Sequence, residues 1–174
     1  MYRMAVLAML SSDTKLDISK CVTMCLVHDL AEAHVGDITP SENIPKEEKA
    51  RREAEQEAMH NFVHDMLHGT PAALRILSLY EEYEEGQTAE AKFVKDLDRF
   101  EMASQGEHPA SAFKILHPTD SNHQTASEYE HRYGAQTLQS FFDSSLPNLR
   151  HPEVKSWGED LAGQRQRSRS EASN

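Results

Sequence analysis

Apolar residues recur at three- and four-residue intervals through most of this chain, and no stretch sustains an apolar–polar alternation of period two. That pattern specifies helices and argues against a sheet. Asp17 is placed to cap a helix whose stripe is Ile18, Cys21, Val22, Cys25, Leu26 and Leu30, ending at Gly36. Tyr2, Ala5, Val6 and Met9 carry the same period back to the first residue. Pro45 suits a first helical position, and Lys46 to about Leu67 follows as a charged helix with Ala54, Ala58, Met59, Phe62, Val63 and Leu67 as its apolar side. Thr70-Pro71 restarts a helix carrying Leu74, Leu77 and Tyr80 or Tyr83, which Gly86 stops. Thr88 caps the next one, with Ala91, Val94, Leu97 and Phe100 following. The expectation is an all-α fold, a single helical bundle.

Two stretches break the pattern. Residues 106–125 collapse into Gly, Pro, Ser, Asn and His without a period and read as an irregular insert. After about Ala162 the chain is polar and mixed in charge, so 162–174 reads as a disordered tail. Between them, Tyr129–Phe142 and Pro152–Leu161 read as two short helices. The domain reading is therefore one domain over 1–161. A length of 174 residues suits that, and it can bury about 70% of its unfolded surface without disulfides.

Composition narrows the partners. Lys+Arg 18 against Asp+Glu 29 gives a net charge of −11, which opposes a nucleic-acid partner and suits a pocket for hard cations. No run reaches the ~20 apolar residues of a spanning helix, so no membrane partner is expected. Cys21 and Cys25, the only cysteines, share a helix face and read as reduced core thiols, which implies an intracellular, cytoplasmic setting.

Chemistry concentrates between Leu26 and Glu48. His28 and Asp29 adjoin within an apolar helix, Glu32 lies one helical turn beyond His28, and Asp37 follows the Gly36 break. A His-Asp pair alone is a common dipeptide. Three carboxylates crowded beside an imidazole repel unless a cation bridges them, and imidazole plus carboxylate suits a first-row divalent ion. A second helix, Ala89–Met102, brings Asp98 one position past Leu97, with Asp96 about 200° around the axis from it. On spacing alone Asp98 would pair with a nearby Lys or Arg.

The motifs HDLAE, GD and P, followed by AEAKFVK-x-LD-x-x-EM, resemble the HD-domain metal-dependent phosphohydrolase superfamily, in its 5′-deoxynucleotidase branch. VGDITPSENIPKEEKARREAE and YEEYE-x-x-x-TAEAKFVK strengthen the likeness, which covers Met1 to about Gln105 and Ala126 to about Val154. The resemblance implies an all-helical enzyme that hydrolyses deoxynucleoside 5′-monophosphates (dAMP, dGMP, dCMP, dTMP) to deoxynucleoside and phosphate. It implies His28, Asp29 and Asp98 as ligands of a divalent ion (Mn, Co or Mg). Glu32 and Asp37 become catalytic carboxylates or ligands of a second ion. A homodimer is implied as well.

The chain also departs from that branch. A further histidine ligand there immediately precedes the segment matching Met1–Met4, which implies an N-terminally truncated chain with one ligand fewer. His34 lies about 240° around the helix from His28 and is no replacement. His60, His64 and His68 read as surface residues on a charged helix. Two alternatives stay open: a phosphohydrolase acting on another nucleotide, and a catalytically impaired helical domain that dimerises or binds nucleotides.

Overall fold

A computed structural model describes residues 1–35, 45–105 and 142–172. Every regular element among the described residues is helical. They are α1 (Tyr2–Met9), α2 (Ile18–Val27), α3 (Glu32–Val35), α4 (Pro45–Asn61) continued by a π-helical turn (Phe62–Met66), α5 (Pro71–Glu85), α6 (Ala89–Gln105), a 3₁₀ turn (Leu146–Asn148) and α7 (Pro152–Ala172). Two compact units are described, Met1–Lys95 and Asp96–Asn174, and the division falls inside α6. The insert expected at 106–125, Asp37 and most of the helix expected over Tyr129–Phe142 lie outside the described residues.

In the first unit α2 is the central element. Cys21, Met24 and Cys25 are fully buried, and α1 and α5 pack against it. Of the stripe expected on α1 only Ala5 is buried: Tyr2, Val6 and Met9 are exposed, and Met4 and Ala8 share the buried face with Ala5. Both stripes have helical spacing. The chosen face carries two alanines, which let a helix pair approach to the ~8–10 Å of close packing. A second cluster gathers Met59, Val63, Ala73, Leu77 and Tyr80 around Ala31. Tyr80 and Tyr83 are both buried on α5, while Leu74 is 45% exposed.

The punctuation follows the sequence closely. Asp17 accepts the Lys20 N–H at the start of α2, and Thr70 accepts the Ala73 N–H at the start of α5. Gly86 ends α5 at φ 61°, a left-handed cap that favours glycine. Thr88 accepts the Ala91 N–H to open α6 and donates to Glu82. Lys20 meets the same carboxylate at 2.7 Å, so one glutamate ties α2, α5 and the cap of α6 together.

The charged helix ends differently from the reading. At Phe62 the hydrogen bonding widens, so that the Leu67 N–H reaches Phe62 O, five residues back. His68 and Gly69 then both take positive φ and turn the chain into Thr70.

In the second unit the buried carboxylate of Asp96 accepts the backbone N–H groups of Arg150 and His151. Phe100 meets Trp157 edge-on at 6.1 Å. Helix α7 runs on to Ala172, through residues expected to form the tail. The guanidinium of Arg165 lies 4.6 Å over the ring of Phe142 and gives that polar extension something to pack on. Among the described residues no helix is long and apolar enough to cross a membrane.

Candidate metal centre

The HD pair does not sit on a regular helix. Sequence spacing had put His28 and Glu32 one turn apart on a single helical face. Instead α2 ends at Val27 and His28 is its C-cap. The backbone then tightens to three-residue hydrogen bonds: Leu30 N–H to Val27 O, and Glu32 N–H to Asp29 O. Glu32 opens the short helix α3 as its first residue and is half-buried. The tightening swings Asp29 outward, with 34% of its side chain exposed, and leaves the His28 side chain fully enclosed.

The two nitrogens of His28 have different partners. Nδ1 lies 3.0 Å from the carbonyl oxygen of Cys25. A carbonyl oxygen only accepts, so Nδ1 carries a proton, and in the neutral ring Nε2 then presents its lone pair. That is the tautomer of a metal-binding imidazole, fixed by a backbone acceptor behind it. Nε2 faces Oδ1 of Asp29 at 3.0 Å. Two electron-rich atoms at that distance need a cation, a proton or a metal ion, to hold them together. Imidazole and carboxylate together suit a first-row divalent ion, so the pair could serve as two of its ligands.

The remaining candidates are placed as follows. Asp98 is half-buried on α6, in the second unit. Sequence spacing put Asp98 nearest the core and turned Asp96 away. In the structure Asp96 is the deeply buried one, 2% exposed. Its Oδ1 accepts from Arg99 and its Oδ2 from two backbone N–H groups, so both oxygens serve the fold. Among the described residues no three His, Cys, Asp or Glu side chains gather closely enough to hold a metal ion. His34, His60, His64 and His68 are exposed, and His60 stacks on His64 at 5.8 Å.

Sequence reasoning missed the surroundings of His28. The ring of Tyr83 meets the imidazole edge-on, centroids 4.8 Å apart at 62°. Lys95 Nζ lies 4.6 Å from the centroid of the same Tyr83 ring. Tyr83 had been read only as one of two choices for an apolar stripe. Nothing in helical spacing marks which core tyrosine touches a histidine on another helix.

A profile of the HD domain family matches residues 1–139. The 5′-deoxynucleotidase HDDC2 of Homo sapiens is 43% identical over 170 residues, spanning 95% of this chain and 70% of that protein. The 5′-deoxynucleotidase hdd1 of Schizosaccharomyces pombe is 38% identical over 168 residues, spanning 95% and 74%. A solved structure of the HD domain-containing protein YGK1 superposes with a TM-score of 0.59 at 28% identity, covering 95% of this chain and 74% of that one. A shared profile, these identities and an all-helical backbone that ends α2 on a histidine followed by an aspartate give one conclusion: the chain belongs to the HD domain family, in the branch whose curated members are named 5′-deoxynucleotidase.

Proposed function

We propose that this chain hydrolyses deoxynucleoside 5′-monophosphates to deoxynucleoside and phosphate, with a divalent metal ion held by His28 and Asp29 and, as the resemblance to the HD family implies, by Asp98. The observation that carries the reading is the His28–Asp29 pair, with Nδ1 tied to Cys25 and Nε2 aimed at Oδ1 across 3.0 Å. The name shared by the curated relatives supplies the substrate class. Mn²⁺ or Co²⁺ suits this mixed imidazole and carboxylate set, and Mg²⁺ suits its carboxylates. When bound, the ion supplies Lewis acidity to the phosphate and acidity to a nearby water.

The chain's own groups do the rest. His28 and Asp29 hold their donors in a fixed relation, so little side-chain entropy is lost when a cation enters. Glu32, at the head of α3, is the proposed base that orients a water and takes its proton; Asp37 shares that role or helps hold a second ion. Water adds to phosphorus, the bond from phosphorus to O5′ breaks, and the leaving oxygen takes up a proton. A homodimer belongs to the same reading. So does an intracellular compartment, where the buried thiols of Cys21 and Cys25 stay reduced.

The test is phosphate release from dAMP and AMP, with and without chelator, for the wild type and for His28→Ala, Asp29→Ala, Asp98→Ala and Glu32→Gln. Chelator should abolish release, and dAMP should be preferred. Each ligand variant should lose about 100-fold or more, at or beyond the top of the range for a supporting group. Glu32→Gln should lose about 100-fold, typical of a general base. Full activity in Asp98→Ala would remove it from the ligand set, and release that is indifferent to chelator would overturn the reading.

A further inference from the structure

We infer that Tyr83 is a positioning residue for His28, and that Lys95 holds Tyr83 in place. The inference rests on the reading of His28 as a metal ligand. One hydrogen bond, Nδ1 to Cys25 O at 3.0 Å, fixes where the imidazole is anchored. The His28 side chain is fully enclosed, and the ring of Tyr83 forms part of the wall that sets its plane and so the aim of Nε2 at Oδ1 of Asp29. The Tyr83 ring stands at 62° to the imidazole with centroids 4.8 Å apart, an edge-to-face arrangement worth about 0.5–1.5 kcal/mol beyond buried area. Tyr83 is itself 8% exposed and belongs to α5, which packs on α2, so the contact joins two helices.

Lys95 secures the other partner. Its ammonium lies 4.6 Å from the Tyr83 centroid, within cation–π range. Its stem passes over the end of α5, where a Cβ on Gly86 would come 3.0 Å from Lys95 Cε. Gly86 is favoured for its left-handed φ of 61°, and the Lys95 stem crosses the space beside it. The chain Lys95–Tyr83–His28 runs from a helix cap to the proposed ligand atom. It is the ring of Tyr83 that touches His28, so phenylalanine should serve in its place and leucine should not.

The experiment uses the full chain and its Tyr83→Phe, Tyr83→Leu, Lys95→Met and His28→Ala variants. Long-range ¹H–¹⁵N spectra of the metal-free protein report the His28 ring, assigned by its loss in His28→Ala. Calorimetry reports Mn²⁺ affinity. The wild type and Tyr83→Phe should show one sharp Nδ1–H tautomer and similar Mn²⁺ affinity. Tyr83→Leu should broaden the His28 signals or mix its tautomers, and should weaken Mn²⁺ binding about 10-fold or more, the range for a group that orients a ligand. Lys95→Met should change both in the same direction and less. Unchanged His28 signals in Tyr83→Leu overturn the inference, whatever happens to melting temperature. Should Tyr83→Leu fail to fold, the inference falls if Lys95→Met leaves both readouts at wild-type values. Mn²⁺ affinity that survives His28→Ala would overturn the metal-site reading instead, and the His28 spectra would still judge the role of Tyr83.

Discussion

Oδ2 of Asp96 lies 2.6 Å from the backbone nitrogen of His151, and the same oxygen accepts the N–H of Arg150 at 2.6 Å. One carboxylate on α6 thereby satisfies two donors just ahead of α7, while its other oxygen takes Arg99 at 2.9 Å. Charged acceptors make the stronger hydrogen bonds, and this one is 2% exposed. Removing it strands two backbone donors and the Arg99 charge together. Asp96→Ala should therefore lower unfolding free energy by about 3 kcal/mol. Asp96→Asn keeps one acceptor oxygen and should lose less. Urea titrations of both variants check the order; an Asp96→Ala protein as stable as wild type would mean the latch is dispensable.

The Glu82 clasp should make part of the stability pH-dependent. Burial alone would raise this carboxyl, but the hydrogen bonds from Lys20 and Thr88 and the Lys20 charge together hold it below the usual carboxylate range. A carboxyl depressed in the fold contributes fully above its unfolded value near ~4.3 and stops contributing as pH falls through the folded one. The Glu82 hydrogen bond raises Lys20, so its contribution persists until pH climbs past the lysine range. The two side chains are 31% and 20% exposed, so solvent screening limits Glu82→Gln to a loss of about 0.5–1 kcal/mol at pH 7. Melts at pH 7 and at progressively lower pH should show the gap between Glu82→Gln and wild type closing in acid. A gap independent of pH would exclude the ionised clasp.

Two glycines in α7 should respond oppositely to the same substitution. A Cβ on Gly158 would lie 2.7 Å from Leu149 Cδ1 and 3.0 Å from Leu146 Cδ2, whereas one on Gly163 would meet nothing within 4 Å. Overpacking costs about 1–3 kcal/mol, against a helix-propensity gain of about 1 kcal/mol for alanine over glycine. Gly158→Ala should thus destabilise by about 1 kcal/mol, and Gly163→Ala should stabilise by up to about 1 kcal/mol. Denaturation midpoints settle the signs.

The thiol of Cys21 should be inert in the folded chain. Burial pushes it up to about 12, and the negative charges of Glu90 and Asp17 add to that. Both cysteines are fully buried, so a thiol reagent at pH 8 should label neither until denaturant is added. Rapid labelling of native protein would show that α2 opens readily.

Sequence alone determined the helical class, the caps at Asp17, Thr70 and Thr88, the stop at Gly86 and the family. Each depends on local rules or on contiguous motifs: a side-chain oxygen reaches an N–H three residues on, and glycine alone tolerates a left-handed cap at low cost. The proposed ligands His28 and Asp29 were legible for the same reason, being neighbours in the chain. Three things depended on contacts between elements. Helical period could not tell whether Ala5 shares its buried face with Val6 and Met9 or with Met4 and Ala8; the packing of α1 on α2 decided. Spacing could not separate Asp96 from Asp98, because what buries Asp96 is a pair of N–H groups more than fifty residues away in sequence. Nor could a regular helix reveal that α2 ends on His28, that a tyrosine from α5 stands beside its ring, or that a lysine from α6 lies over that tyrosine. Local chemistry is written in the order of residues, but the surroundings that orient a ligand come from segments far apart in sequence, and only packing brings them together.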